Sequence, residues 1–301
     1  MIRNFDELFE QLRSKPKKRL VAAWGIDDHT ICAVGRAIQE GLVEGTLVGD
    51  KEKILEVCTN ENIDPALFTI VHNEDELKSI AQAVEMVKTG EGDILMKGLC
   101  STDKYMRGIL NKEKGLLPPK AVLSHVSVVQ NPNYPKLLCI GDIAVIPAPD
   151  LKQKIAIVNY TVRTAKALGV AKPKVAMIAA TEQMLFGMPA CVEAAMIAKM
   201  GERGQIPGCE IDGPLALDVA LSPEAASIKK LNSTVAGQAD CLVFPNIESA
   251  NVFYKTNSQL AKGVRLAAMV AGAAAPCVLS SRADSIETKL NSIALAAITA
   301  K

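Results

Sequence analysis

Short apolar runs alternate with amphipathic helical stretches along most of this chain, and no other feature constrains its fold as tightly. Residues 20–24, 46–49, 68–71 and 93–96 read as short buried strands. Between them lie helical patterns: one capped by Asp28, one from Lys51, and one from Glu74 to Lys88 that Gly90 stops. An earlier helix opens at Asn4-Phe-Asp-Glu7, with Leu8, Phe9 and Leu12 at helical spacing. Strands separated by helices imply a parallel sheet with right-handed crossovers. From 120 to 146 the pattern changes: residues 121–129, 137–140 and 143–146 follow one another with only turns between, and predict consecutive strands. The alternation then resumes, with helices expected over 151–168, 190–200, 248–261 and the last residues to Lys301, and strands over 175–180, 241–244 and 277–280. A second α/β domain is expected to start near 143. No Ser/Gly-rich linker occurs there, so the two domains are expected as packed lobes.

Aromatic residues supply only 4% of the chain, so the core must be built from Ala, Val, Ile and Leu. Such a core suits helices on a parallel sheet better than a β-sandwich. With 34 basic against 33 acidic residues, the net charge of +1 gives no uniform field for nucleic acid or a membrane surface. Neither is expected as a partner. The first 19 residues are polar and amphipathic, which fits neither a secretory signal nor an anchor, and a cytoplasmic protein is expected. The apolar run 266–279 is shorter than the ~20 residues that span a bilayer and contains Pro276, so it reads as interior. Of eight cysteines, the nearest neighbours in sequence are Cys191 and Cys209, 18 residues apart, and no CxxC or Cys/His ligand pair occurs. They read as reduced thiols that pack as small hydrophobes, with no zinc site and no disulfide frame. Cys100 alone lies near candidate chemistry, and packing accounts for it.

No GxGxxG follows the first strand, and neither GxxxxGK[ST] nor GxSxG occurs, so the usual dinucleotide, P-loop and hydrolase signatures are absent. His29, His72 and His125 are far apart in sequence. Polar segments that follow strands stand out instead, because open α/β sheets build their sites there. Segment 96–102, Met-Lys-Gly-Leu-Cys-Ser-Thr, ends in hydroxyls at a helix start, where amides and the helix dipole favour an anion. Arg107 lies further along that helix, and N-capping is the simpler use of Ser101 and Thr102. Segment 211–218 carries Asp212 and Asp218 around Gly213-Pro214, and segment 244–251 carries Asn246, Glu248 and Asn251. Each segment places Asp, Glu or Asn where a ligand could be reached, while Asp218 and Glu248, taken singly, serve equally as caps or structural hydrogen-bonders. Segment 279–285, Leu-Ser-Ser-Arg-Ala-Asp-Ser, delivers hydroxyl, guanidinium and carboxylate together in Ser281, Arg282 and Asp284. That set offers fork-shaped anion binding beside a base, or else a surface turn in which Asp284 or Ser285 caps the last helix.

In order, spacing and wording, these segments together resemble the phosphate acetyltransferase and phosphate butyryltransferase family over almost the whole chain. The matching blocks are Lys97-Gly98 with Thr102 and Arg107, residues 123–126 with Ser124, Gly141-Asp142, residues 173–176 with Glu182, residues 213–218, residues 239–248 with Asn251 and Tyr254-Lys255, and Ser281-Arg282. The length and the Ser-Arg-Ala-Asp-Ser wording look more like the butyryl branch than the acetyl branch, which typically reads Ser-Arg-Gly. The resemblance implies a two-lobed α/β fold like that of the isocitrate and isopropylmalate dehydrogenases, with mostly parallel sheets flanked by helices. Residues 1–142 with 279–301 would form one lobe, 143–278 the other, and the active site would lie in the interlobe cleft. It also implies the reversible reaction of acyl-CoA with phosphate to give acyl phosphate and CoA. Coenzyme A and phosphate are then substrates, with no tightly bound cofactor and no metal, in a homo-oligomer. Ser281 and Arg282 match the catalytic pair. The family's acid falls on Thr288, leaving Asp284 and Glu287 as the nearby carboxylates, with Asp284 the candidate. Thr102, Arg107, Ser124, Asp218, Asn246, Glu248, Asn251 and Lys255 are the implied substrate contacts.

The chemistry suits these residue types, since an attacking phosphate needs guanidinium and N–H donors to hold it and to stabilise charge on the carbonyl oxygen. Two competing readings are a dehydrogenase of the same broad fold, which lacks an Asp-x-x-x-Asp metal helix here, and a non-catalytic CoA-binding relative. The intact Ser281-Arg282 pair argues against the latter.

Overall fold

The computed structural model describes residues 1–279 and 284–301. Contacts divide the chain into two units: Phe5–Leu123 with Leu266–Lys301, and Met1–Asn4 with Ser124–Arg265. The sequence reading had drawn its boundaries at 142 and 279.

The first unit begins with the expected alternation: α1 (Phe5–Arg13), β1 (Lys18–Ala23), α2 (Asp28–Gln39), β2 (Val43–Gly49), α3 (Lys51–Asn60), β3 (Thr69–His72), α4 (Glu76–Lys88), β4 (Ile94–Lys97) and α5 (Thr102–Leu110). Aspartates open three of these helices. Asp27, Asp50 and Asp75 each turn a carboxylate onto free amides of the first turn. The cap of α2 is thus Asp27, one residue before the Asp28 expected from sequence.

The second unit carries β5 (Ser124–Gln130), β6 (Leu138–Gly141), α6 (Leu151–Ala167), β7 (Lys174–Ile178), α7 (Pro189–Glu202), β8 (Glu210–Leu215), α8 (Leu217–Leu221), α9 (Pro223–Ile228), β9 (Cys241–Val243) and α10 (Ile247–Leu260). Its strands run in the order β5-β6-β9-β7-β8. Only β5 and β6 are antiparallel; β6-β9, β9-β7 and β7-β8 are parallel. Residues 143–146, expected as a strand, form none. The buried Asp142 carboxylate accepts from the amides of Ala144 (2.8 Å), Val145 (2.9 Å) and Ile146 (3.2 Å), and so removes the donors a ladder would need. Strand β8 lies at the sheet edge, where the register breaks between Ala176 and Ile178 and accommodates Gly213-Pro214.

The chain returns to the first unit with β10 (Arg265–Ala271), β11 (Cys277–Val278) and α11 (Ile286–Thr299). The apolar run 266–279 therefore holds two strands, reversed after Gly272 (φ 97°) and paired antiparallel at Val270 and Cys277. The order β3-β2-β1-β4-β11-β10 is parallel except for this last pair. Helix α11 packs on α2 and α1. Among the described residues no helix is long and apolar enough to cross a membrane.

Asp142 also accepts from Ser124 Oγ (2.9 Å) and the His125 amide (3.2 Å), so five donors converge on one side chain that is 3% exposed. Asp142→Ala strands the buried donors of Ser124, His125 and Ile146 and is expected to remove at least about 3 kcal/mol of stability. Asp142→Asn, which keeps one acceptor, should fall between. Chemical denaturation of the three proteins checks the order.

Candidate active site

Strands β1 and β4 end side by side, and their pairing continues beyond the last strand residue. The Gly98 amide donates to the Ala23 carbonyl (3.0 Å) and the Leu99 amide to that of Trp24 (2.9 Å). A Cβ on residue 98 would overlap the Trp24 carbonyl oxygen and lie 2.6 Å from its carbon, so only glycine fits. The approach holds Lys97 inside: its side chain is 4% exposed, and Nζ donates to the Gly98 carbonyl at 3.2 Å.

Beyond β1 the chain passes through Trp24, with φ 53°, into Asp27. Asp27 Oδ1 accepts the Thr30 amide (3.0 Å) as the cap of α2, while Oδ2 is buried with no hydrogen-bond partner among the described residues. Asp28 is exposed, and His29 Nδ1 lies 3.3 Å from the carbonyl oxygen of Asp284. Ser285 caps α11 by accepting the Thr288 amide (3.1 Å), and its hydroxyl also meets Thr288 Oγ1 at 3.1 Å. One residue on, Lys289 is 4% exposed. Burial lowers its pKa from the ordinary lysine value; Asp27 and Asp284 oppose that shift, Lys97 adds to it, and Asp28 opposes it. Asp27, Asp28, Lys97, Asp284 and Lys289 thus form one electrostatic cluster at the carboxyl ends of β1 and β4. Tyr105 is fully buried, its hydroxyl within hydrogen-bond reach of the carbonyls of Leu95 (3.3 Å) and Val278 (3.2 Å). Cys100 is buried, and burial pushes its thiol up to about 11, so it is an inert packing group.

Of the residues singled out from sequence, Ser281 and Arg282 lie outside the described residues, while Asp284 belongs to this cluster. Thr102 is the first residue of α5, with Ser101 as its cap (3.3 Å from the Lys104 amide). Arg107 is exposed on α5 and pairs with Asp103 at 3.1 Å.

The other six fall in the second unit. Ser124 is fully buried and donates to Asp142, which takes up its hydroxyl in structure. Asn246 caps α10 by accepting the Ser249 amide (3.0 Å), and Asn251 donates to the Ile143 carbonyl (3.1 Å). Lys255 is exposed, its Nζ 5.8 Å from the Tyr254 ring centre. Asp218 lines a cavity of about 450 Å³ with Asn131, Tyr134 and Asn257. Glu248 lines a second, largely apolar one of about 770 Å³ at the carboxyl ends of β7 and β9, with Phe244, Val252 and Phe253. Sequence reasoning did not single out Asp27 or Lys289, and named Lys97 only within a matching block. For Lys289 a signal existed, since a lone cation interrupts the apolar last helix.

Residues 74–297 match the profile of the phosphate acetyl/butaryl transferase family. A phosphate butyryltransferase of Clostridium acetobutylicum is 44% identical over 300 residues, spanning 100% of this chain and 99% of that one. A phosphate acetyltransferase of Thermotoga maritima is 42% identical over 298 residues, spanning 98% and 99%. Among solved structures, a branched-chain phosphotransacylase from Enterococcus faecalis superposes with a TM-score of 0.83 at 31% identity, covering 94% of this chain and 98% of that one.

Gly98→Ala is expected to push β4 off the end of β1, lower stability by at least about 2 kcal/mol and disorganise the cluster around Lys97. A urea midpoint within error of wild type would refute that close approach.

Proposed function

The chain belongs to the phosphate acetyl/butaryl transferase family, and on that premise we propose that it moves a short acyl group between coenzyme A and phosphate, with butyryl preferred over acetyl. The observation that carries this reading is the 44% identity to a phosphate butyryltransferase over 300 residues. The 42% likeness to an acetyl enzyme favours the second reading, in which acetyl-CoA is the better substrate.

In the forward direction a phosphate oxygen attacks the thioester carbonyl carbon. The new C–O bond forms, the C–S bond breaks, and its electron pair leaves on sulfur. Arg282 is assigned to the phosphate or the carbonyl oxygen, because a planar guanidinium holds two oxygens at once, with Ser281 beside it. Thr102 and Arg107 are assigned to the anionic parts of the substrates, and Asp218, Asn246, Glu248, Asn251 and Lys255 to further substrate contacts. Coenzyme A and phosphate are substrates, and the chemistry requires no tightly bound cofactor. The eight unpaired cysteines are in keeping with a reducing, cytoplasmic setting. Exposed apolar side chains such as Phe186 (95%) and Leu260 (80%) are in keeping with a homo-oligomer.

Thiol release from butyryl-CoA should require phosphate, and kcat/KM across C2 to C6 acyl-CoAs should peak at C4. No release from any of them would end the enzymatic reading, whereas a peak at C2 would replace only the acyl preference.

Arg282→Ala and Arg282→Lys should both reduce kcat/KM by on the order of a hundredfold, with thermal melts unchanged. A loss of only a few fold would remove Arg282 from the reaction.

A further inference from the structure

Resting on that reading, we infer that Asp27 recognises the substrate phosphate by its proton: Oδ2 accepts a hydrogen bond from the P–O–H group, so the site admits phosphate and excludes sulfate. The two oxygens of this one carboxylate differ. Oδ1 accepts the Thr30 amide at 3.0 Å and caps α2, whereas Oδ2 is itself buried and has no hydrogen-bond partner among the described residues. The neighbouring and equivalent aspartates leave nothing comparable. Asp50 caps α3 and its Oδ2 meets Lys53 Nζ at 3.4 Å, while Asp75, the cap of α4, is exposed to water. Asp28 is exposed as well, with Oδ1 on the His29 amide at 2.7 Å. A carboxylate oxygen withdrawn from water and given no donor is destabilising, so a donor that arrives with a ligand relieves it.

The place of Asp27 is a ligand edge. It follows β1 at the strand's carboxyl end, where open α/β sheets bind their ligands. Two residues on, His29 Nδ1 lies 3.3 Å from the carbonyl oxygen of Asp284, and Asp284 follows Arg282 by two residues in the sequence. The start of α2 therefore stands beside the end of the segment to which the reaction is assigned.

The chemistry of the substrates selects the donor. Lys97 and Lys289, both buried, belong to the same electrostatic cluster as Asp27. Whatever else these ammoniums bond, their charge favours an anion there. The amides and hydroxyls of coenzyme A are donors but neutral. Its diphosphate and its thiolate are anionic but carry no proton, and its phosphomonoester, with a second pKa of about 6, has mostly lost its own. Inorganic phosphate keeps a hydroxyl throughout the neutral range and is both donor and anion. Held with that hydroxyl on Oδ2, it leaves its unprotonated oxygens for the guanidinium of Arg282 and for attack on the thioester carbon. Sulfate has similar size and charge but no proton, so it meets Oδ2 as one lone pair facing another. A site built to accept a hydroxyl rejects the analogue that lacks one, because its polar group is left unpaired and, here, repels the anion.

The deciding measurement is the inhibition constant of sulfate, competing with phosphate in the thiol-release assay, set against the phosphate KM for wild type, Asp27→Asn and Asp27→Ser. Asn and Ser both cap helices well, so each variant keeps an acceptor for the Thr30 amide. In wild type the sulfate constant should exceed the phosphate KM by at least about tenfold. Asp27→Asn, whose amide can donate, should raise the phosphate KM and lower the sulfate constant, so that the two move in opposite directions. Asp27→Ser, which lacks the second oxygen, should bring them within about threefold of each other. A residue that only caps α2 moves both constants alike and spares their ratio. Wild type with less than a tenfold preference for phosphate overturns the inference, whether or not the variants fold. A folded Asp27→Asn that keeps the wild-type ratio overturns it equally and leaves Asp27 as a helix cap. Absence of thiol release from every acyl-CoA would instead sink the functional reading, and calorimetric titration of wild type with potassium phosphate and potassium sulfate then decides the preference by the same tenfold criterion.

Discussion

The meeting of the β4 end with the Trp24 carbonyl organises the whole carboxyl edge of the first unit. Because the Gly98 and Leu99 amides both pair with the end of β1, the chain after β4 stays in the sheet two residues longer than a strand facing solvent would. Lys97 is drawn inside as a result. After β1 the chain turns through Trp24 to Asp27, which opens α2. Helix α11 packs on α2, which completes the approach of Lys289. One backbone contact that only glycine permits thus sets the position of a buried cation, Lys97.

Such a cluster is a poor way to gain stability. Apolar side chains of similar volume usually stabilise as well as a buried ion group or better, because the desolvation of each charge offsets most of its attraction. Helix α11 itself fills the core with Leu290 and Ile293, one and four residues beyond Lys289. Helix α11 mixes buried polar with apolar side chains, since Lys289, Asn291 and Ser292 are buried beside Leu290 and Ile293.

The period of the apolar pattern was enough to read most elements, because burial on both faces makes parallel strands short and continuous and gives each crossover helix one apolar side. It failed where a side chain overrode the pattern. Residues 143–146 are apolar enough for a strand, but the Asp142 carboxylate collects their amides. Strand β10 was hidden because two strands and a tight reversal share one uninterrupted apolar run, and β8 because Gly213-Pro214 reads as a turn unless the strand lies at an edge. At the site, the strand-end rule located the segment around Lys97 correctly. It could not reveal the burial of Lys289, which depends on α2 and α11, elements far apart in sequence, packing together.

Asp142 and Asp27 show why residue type alone is a weak guide to chemistry. Both are aspartates that follow strands, and both accept backbone amides as their sequence neighbourhoods suggest. Asp142 receives five donors and has no capacity left over, and the same holds in smaller measure for Ser124 and Asn246, whose polar atoms close structural bonds. Asp27 receives one amide on one oxygen and leaves the other buried with no donor among the described residues. A buried acceptor without a hydrogen bond costs on the order of 1–3 kcal/mol, so a fold keeps it only where something else is gained. What separates a structural carboxylate from one that belongs to a site is this remaining valence, which depends on how many donors the tertiary structure brings to each oxygen.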